Sequence, residues 1–124
     1  MVLDVSGGKK ENGTKVHAWP SNKTDAQRWY FTSDCRLESA LKDGMFLDIR
    51  ENKNSKGTTC CISEMNSSNS QHWQFTNDGN IFSLMNSNVL DIRGSNKNKG
   101  TEIILWPNWG GENQRWDIED SERL

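Results

Sequence analysis

The chain has 124 residues, carries a net charge of −2 and is only 32% hydrophobic. That length suits one domain, and the near-neutral charge excludes the concentrated basic face that binding to nucleic-acid backbones requires. No stretch approaches the ~20 apolar residues of a membrane-spanning helix, and the six tryptophans partly offset the low hydrophobic content.

The first predicted element is a strand over 2–5, where Val2-Leu3-Asp4-Val5 alternates. The acidic residue at position 4 argues against a signal peptide. A loop rich in Gly, Lys and Asn leads to Gly13-Thr14 and then to Trp19-Pro20. Gln27-Arg28-Trp29 opens a strand over 29–31, and another is predicted over 36–41. The series then repeats through Leu47-Asp48, Gly57-Thr58, Gln71-His72-Trp73 and a strand over 80–85. It repeats again through Leu90-Asp91, Gly100-Thr101, a short apolar run over 103–106 and Gln114-Arg115-Trp116. Loop residues such as those at 95–100 separate the strands. No apolar stripe has the helical period, so almost no α-helix is expected.

The Leu-Asp landmarks recur at intervals of 44 and 43 residues, and Gly-Thr and Gln-x-Trp keep the same intervals. Nine landmarks in one register define an internal repeat. Three copies of a four-strand unit predict an all-β fold, a β-trefoil with pseudo-threefold symmetry and repeats at about 1–36, 37–80 and 81–124. Closure of such a barrel removes the exposed edges that short hairpins otherwise present. Leu3, Leu47, Leu90, Trp29, Trp73 and Trp116 are the expected core. The first strand of repeat one is absent from the chain, which opens at Val2-Leu3-Asp4. Arg123-Leu124 falls where Arg36-Leu37 falls after its own tryptophan. Three readings of that register stay open: the tail half-fills the gap, the natural chain is longer, or a partner chain covers the edge as in a homodimer.

Cys35, Cys60 and Cys61 are odd in number and fit no closed disulfide framework. Free thiols are expected. Two histidines without a CxxC pair argue against a structural zinc site, and no cofactor is implied. Asn12, Asn22 and Asn66 each open a glycosylation pattern, which alone does not fix a compartment.

Leu-Asp-(Val/Ile), Gly-Thr and Gln-x-Trp, three times in phase, resemble the R-type (ricin B-chain-like) lectin family over nearly the whole chain. The third copy, 90–116, looks most like the galactose-binding copies of invertebrate members. The resemblance implies a β-trefoil that binds galactose or N-acetylgalactosamine at up to three shallow sites, without metal.

The residues themselves suit that chemistry. A galactoside presents a fan of hydroxyls and an apolar face of C–H groups. Recognition needs a carboxylate acceptor, an aromatic plate and an amide that both donates and accepts. In copy three, Asp91 is the acceptor, Trp106 the plate and Asn113 the amide, with Gln114 as support. Gly94 allows close backbone approach, and Trp109 is placed to touch a second sugar. Copy one offers Asp4, Gly7, His17, Trp19 and Gln27; Ala26 replaces the amide, with Asp25 as a substitute. Copy two keeps Asp48 and Gln71 but has Ser63 at the plate position, so a weak or dead site is expected. The expected partners are galactose-type glycans on glycoproteins or glycolipids, at or outside the cell surface, bridged multivalently. A trefoil that binds proteins, or a targeting module of a larger toxin or glycosidase, are the alternatives. Catalysis is not expected: the copies share no Ser/His/Asp set and no phosphate-cradling glycine loop, and carboxylates such as Asp25 and Glu112 are common on the loops of a polar protein.

Overall fold

The computed structural model describes residues 1–117. These residues form ten strands: β1 (Val2–Val5), β2 (Lys15–Trp19), β3 (Trp29–Phe31), β4 (Leu37–Ser39), β5 (Met45–Ile49), β6 (Cys60–Glu64), β7 (Trp73–Phe75), β8 (Ile81–Ser83), β9 (Val89–Ile92) and β10 (Ile103–Trp106). Short 3₁₀ turns link them, and no α-helix forms among the described residues. Hydrogen bonding orders them as β1-β2-β6-β5-β4-β3 and β10-β9-β8-β7. Arg123-Leu124, where one of the three open readings has the tail half-fill the gap, lies outside the described residues.

The Gly-Thr landmark closes the barrel. Gly13 N–H donates to the Ile62 carbonyl at 2.7 Å, and Ile62 N–H returns a bond to the Thr14 carbonyl at 2.9 Å. Gly57-Thr58 makes the same exchange with Leu105, at 2.6 and 3.0 Å, and Gly100-Thr101 with Ala18, at 2.7 and 2.9 Å. Each repeat therefore pairs with the next, and the third returns to the first. The glycines adopt φ of 88–90°, a left-handed turn that a side chain would strain.

Strand alternation then sorts side chains. Leu3 and Val5 face the core while Asp4, between them, points to the other side. Leu47 and Ile49 flank Asp48 in the same way. The core joins all three repeats through Val5, Val16, Leu47, Ile49, Ile62, Leu90, Ile103 and Leu105, none more than 1% exposed. Trp73 is fully buried, whereas Trp29 and Trp116 are half-buried and packed against the core. The β3–β4 and β7–β8 hairpins meet where Phe31 and Phe75 stack edge to face at 4.8 Å.

The strands predicted over 36–41 and 80–85 are shorter than expected. Serine ends both: Ser39 Oγ accepts the Leu41 N–H at 3.1 Å, and Ser83 Oγ accepts the Met85 N–H at 3.0 Å, which turns the chain out of the sheet.

The Trp73 indole donates to the Leu47 carbonyl at 3.1 Å inside the core. Trp73→Ala should lower stability by about 3–5 kcal/mol, read as a shift of the urea unfolding midpoint at unchanged slope. All three thiols are free. Burial pushes the Cys60 thiol well above the ordinary cysteine range and raises that of Cys61, so in the native protein a maleimide should label half-buried Cys35 first. The other two should react at comparable rate only in denaturant.

Candidate functional site

Each repeat presents the same frame at the end of its first strand. The aspartate leaves the strand pointing away from the core, and the next turn passes through a left-handed residue: Gly7 at φ 64°, Glu51 at 56°, Gly94 at 63°. The space beside Gly94 is open, and a Cβ there would meet nothing within 4 Å. The glycine is therefore explained within the chain by backbone conformation, and it leaves room for a ligand in front of it.

The Gln-x-Trp segment clamps the Leu-Asp segment. The indole of Trp29, Trp73 and Trp116 donates to the carbonyl of Leu3, Leu47 and Leu90 at 3.1–3.2 Å. Two residues earlier, Gln71 and Gln114 donate to Asp48 and Asp91, at 3.2 and 2.8 Å. The same amides reach the Glu64 and Pro107 carbonyls and accept the Asn66 and Trp109 N–H groups. Gln114, fully buried, is thus saturated by protein partners and acts by holding Asp91.

In repeat three, Asn113 Nδ2 donates to Asp91 Oδ1 at 2.9 Å and to the Ile92 carbonyl at 3.0 Å. Asp91 is thereby fixed from two sides. The amide cannot be turned over, because its oxygen would then face a carboxylate and a carbonyl. Asn113 Oδ1 remains buried and without a partner, an acceptor suited to a ligand hydroxyl. Burial raises the Asp91 carboxyl above the ordinary aspartate value, and the Gln114 and Asn113 bonds and the Arg93 charge only partly oppose it.

Trp106 and Trp19 are half-buried and stand outside the core cluster, unlike the Gln-x-Trp tryptophans. Each is backed by the loop of a neighbouring repeat. Lys56 Nζ lies 5.0 Å from the Trp106 ring centroid, and Lys99 Nζ lies 5.4 Å from that of Trp19. The equivalent residue facing repeat two is Asn12, whose side chain accepts the Glu64 N–H at 2.9 Å. These lysines escape sequence reasoning. Their signal, a Lys before Gly-Thr in copies two and three but not one, has meaning only once the cyclic order of repeats is known.

Repeat one differs in its polar contacts. Asp4 and His17 are cross-strand partners, with Nε2 to Oδ2 at 3.5 Å, and His17 stacks on Trp19 at 5.1 Å and 15°. Gln27 donates to the Pro20 carbonyl at 2.9 Å and accepts the Asn22 N–H. Asp25 is exposed at the rim and pairs with Arg28 at 3.1 Å, so it is not gathered to Asp4. In repeat two, Cys61 stands opposite Asp48, Ser63 holds the plate position, and Asp48 Oδ1 and Ser70 Oγ are buried without partners. Two open polar clefts of about 340 and 350 Å³ are not lined by Asp4, Asp48 or Asp91: one runs from Ser6 and Lys9 to Lys15, and the other lies among Asp78, Asn80, Asn108, Gly110 and Arg115. The candidate sites are shallow faces and not cavities.

A family model for the ricin-type β-trefoil lectin domain matches residues 1–116. The chain belongs to this family. It is a carbohydrate-binding domain of the β-trefoil fold. Among solved structures it resembles a designed threefold-symmetric protein, ThreeFoil, with a TM-score of 0.90 at 23% identity over 96% of this chain and 90% of that one. The C-half of an earthworm R-type lectin, solved with GalNAc, matches with a TM-score of 0.80 at 26% identity over 94% and 88%. The exo-β-1,3-galactanase 1,3Gal43A from Clostridium thermocellum matches with a TM-score of 0.85 at 28% identity over 92% of this chain but only 26% of the enzyme. The comparison with curated proteins returned no match.

An ionised Asp91 accepts on both oxygens, and protonation turns one of them into a donor that opposes the Asn113 and Gln114 amides and a ligand hydroxyl. Because burial holds the Asp91 carboxyl above 3.8, ligand binding at repeat three should fall away on acidification at a pH above that value, before the fold is lost. The stability linkage has the opposite sense: a raised pKa favours the folded state at low pH, and that contribution is lost as pH rises through it. A pH series of sugar titrations, with circular dichroism to follow the fold, checks both.

Proposed function

We propose that the protein is a lectin for terminal galactose or N-acetylgalactosamine, bound through repeats one and three, and that it bridges glycoproteins or glycolipids. The observation that carries this reading is the repeat-three constellation: an Asp91 carboxylate fixed by Gln114 and Asn113, with the Trp106 plate outside the core. Asp91 accepts two neighbouring hydroxyls of the sugar, Asn113 Oδ1 accepts a third, and Trp106 takes the C–H face. Repeat one offers Asp4, His17 and Trp19 on the same frame, with the Lys9 side chain lying within 4 Å of where a Cβ on Gly7 would stand. Repeat two has no plate, so Asp48, Ser63 and Gln71 make at most a weak site. The earthworm lectin solved with GalNAc supports the sugar class.

One sugar on one shallow face is expected to bind with millimolar affinity, about −4 kcal/mol. Two such faces on one rigid barrel can raise avidity for a glycan-bearing surface by roughly 10²–10⁴. A second reading, a targeting module of a larger glycan-degrading protein, draws on the match to a quarter of the galactanase. The binding chemistry is the same in both.

A glycan array should show signal concentrated on galactose-family termini; none there sinks the proposal. Trp106→Ala should reduce repeat-three affinity at least about fivefold, since stacking at this scale supplies roughly 1–3 kcal/mol, while the unfolding midpoint stays near wild type. Unchanged affinity would refute the plate assignment.

A further inference from the structure

We propose that repeat three carries a second sugar subsite, formed by Trp109 lying over Gly111 beside the Asn113 amide oxygen, that takes the sugar attached to the galactose held on Trp106. The inference rests on the galactose reading of Asp91 and Trp106 and extends it to the ligand's second ring.

It comes from comparing the three copies of one loop. Position 109 corresponds to Asn22 and Asn66, and position 111 to Thr24 and Ser68. In the first two copies the asparagine closes the turn by accepting the N–H of its partner two residues on, at 3.1 and 2.8 Å. In repeat three the same turn is closed one residue earlier, by Asn108 Oδ1 accepting the Gly110 N–H at 3.0 Å. Position 109 is thereby released from turn duty and holds a tryptophan that is 62% exposed.

The glycine at 111 answers to that ring. Its backbone, φ −75° and ψ 155°, is extended and open to any residue, and Thr24 and Ser68 adopt much the same angles with side chains. Conformation therefore does not call for glycine. Space does: a Cβ on Gly111 would lie 2.3 and 2.4 Å from two carbons of the Trp109 ring and 2.5 Å from Asn113 Oδ1. Ring and amide oxygen crowd the same spot. Trp109 and Gly111 thus require each other, and repeats one and two have neither.

The product of the paired change has the composition of a sugar contact. An exposed aromatic face lies beside the Asn113 amide oxygen, the acceptor that the galactose reading gives to the first ring. The acceptor belongs to the amide that holds Asp91, so the new surface is continuous with the first site. A galactose on Asp91 and Trp106 is flanked by this surface, and a second pyranose linked to it meets an aromatic ring suited to its C–H face. The ligand class is an oligosaccharide with terminal galactose. A monosaccharide gains nothing from Trp109.

The test is a site-resolved titration by NMR, using the assigned indole N–H signals of Trp19, Trp106 and Trp109 in the intact chain, with methyl β-galactoside and with lactose. Lactose should bind repeat three roughly three- to tenfold more tightly than methyl β-galactoside, with the Trp109 signal moving. At repeat one, which lacks the pair, the two should bind alike. Trp109→Ala should erase the lactose advantage while preserving methyl β-galactoside affinity. Gly111→Ala, which keeps the tryptophan but displaces its ring, should erase it too. Equal affinities in the wild type, or an advantage that survives Trp109→Ala, overturns the subsite while leaving the galactose reading in place. No response of Trp106 to either sugar overturns that reading, and the subsite with it.

Discussion

The structure depends on the way one three-residue segment grips another. In each repeat the Gln-x-Trp tryptophan donates to the leucine carbonyl of Leu-Asp, at 3.1–3.2 Å and 26 residues back. In repeats two and three the glutamine of the same segment grips the adjoining aspartate. One grip faces the core and the other faces the binding surface. A buried amide that satisfies a carbonyl, a loop N–H and a carboxylate at once leaves none of its own groups unpaired, the condition for burying it at all. Rigidity of the carboxylate is therefore inherited from the fold. A preorganised acceptor loses little freedom when a ligand arrives, which matters where a shallow face has few contacts to offer.

The three copies share this grip and differ in what stands around it. Opposite the aspartate on the neighbouring strand are His17, Cys61 and Ile104 in turn. Of these, the histidine is the one that stands within ion-pair distance of its carboxylate, at 3.5 Å. The plates in repeats one and three each have a lysine over the ring from the neighbouring repeat, whereas repeat two closes the same gap with an Asn12 hydrogen bond to backbone. A lysine ammonium over an aromatic face is attracted by the ring quadrupole, and it holds the ring in place from a loop that the Gly-Thr bonds already fix. The sites are thus built by pairs of repeats, though their landmarks lie within single ones.

That distinction decides what could be read from the sequence. The landmarks were visible because each depends on residues at fixed spacing within a copy: aspartate to glutamine, leucine to tryptophan, aspartate to plate. The separation of core tryptophans from plates also followed from spacing, since the Gln-x-Trp residue already fills the core position. Lys56 and Lys99 were invisible in role because cyclic closure is a tertiary fact. So was the state of Asn113: an amide has donors and an acceptor, and only the fold shows that its donors serve Asp91 and Ile92 while its oxygen is left over. Asp25 was a reasonable substitute for the missing amide of repeat one. Its turn instead aims it outward to Arg28. The short β4 and β8 reflect serine hydroxyls that capture the next N–H groups, a competition that β-propensity does not register.

Repeat two separates scaffold from recognition. It has lost the plate, and Ser63 and Glu64 stand where the others have Trp-Pro. Yet Asp48 remains, 5% exposed, with Oδ2 held by Gln71 and Oδ1 without a partner. A buried carboxylate serving only a ligand would be a liability here, since its desolvation is not offset by sugar hydroxyls. Its place is explained by the fully buried Gln71, whose amide nitrogen has Asp48 and the Glu64 carbonyl as acceptors. Replacing the aspartate alone would remove one of the two and loosen the grip on the loop. The Leu-Asp and Gln-x-Trp pair is thus the device that folds each repeat, and on the proposed reading sugar recognition is added to it in the repeats that also carry a tryptophan outside the core. On that view the copies can diverge at the plate, the cross-strand neighbour and the following loop without disturbing the barrel, as positions 63, 17 and 109 show within this one chain.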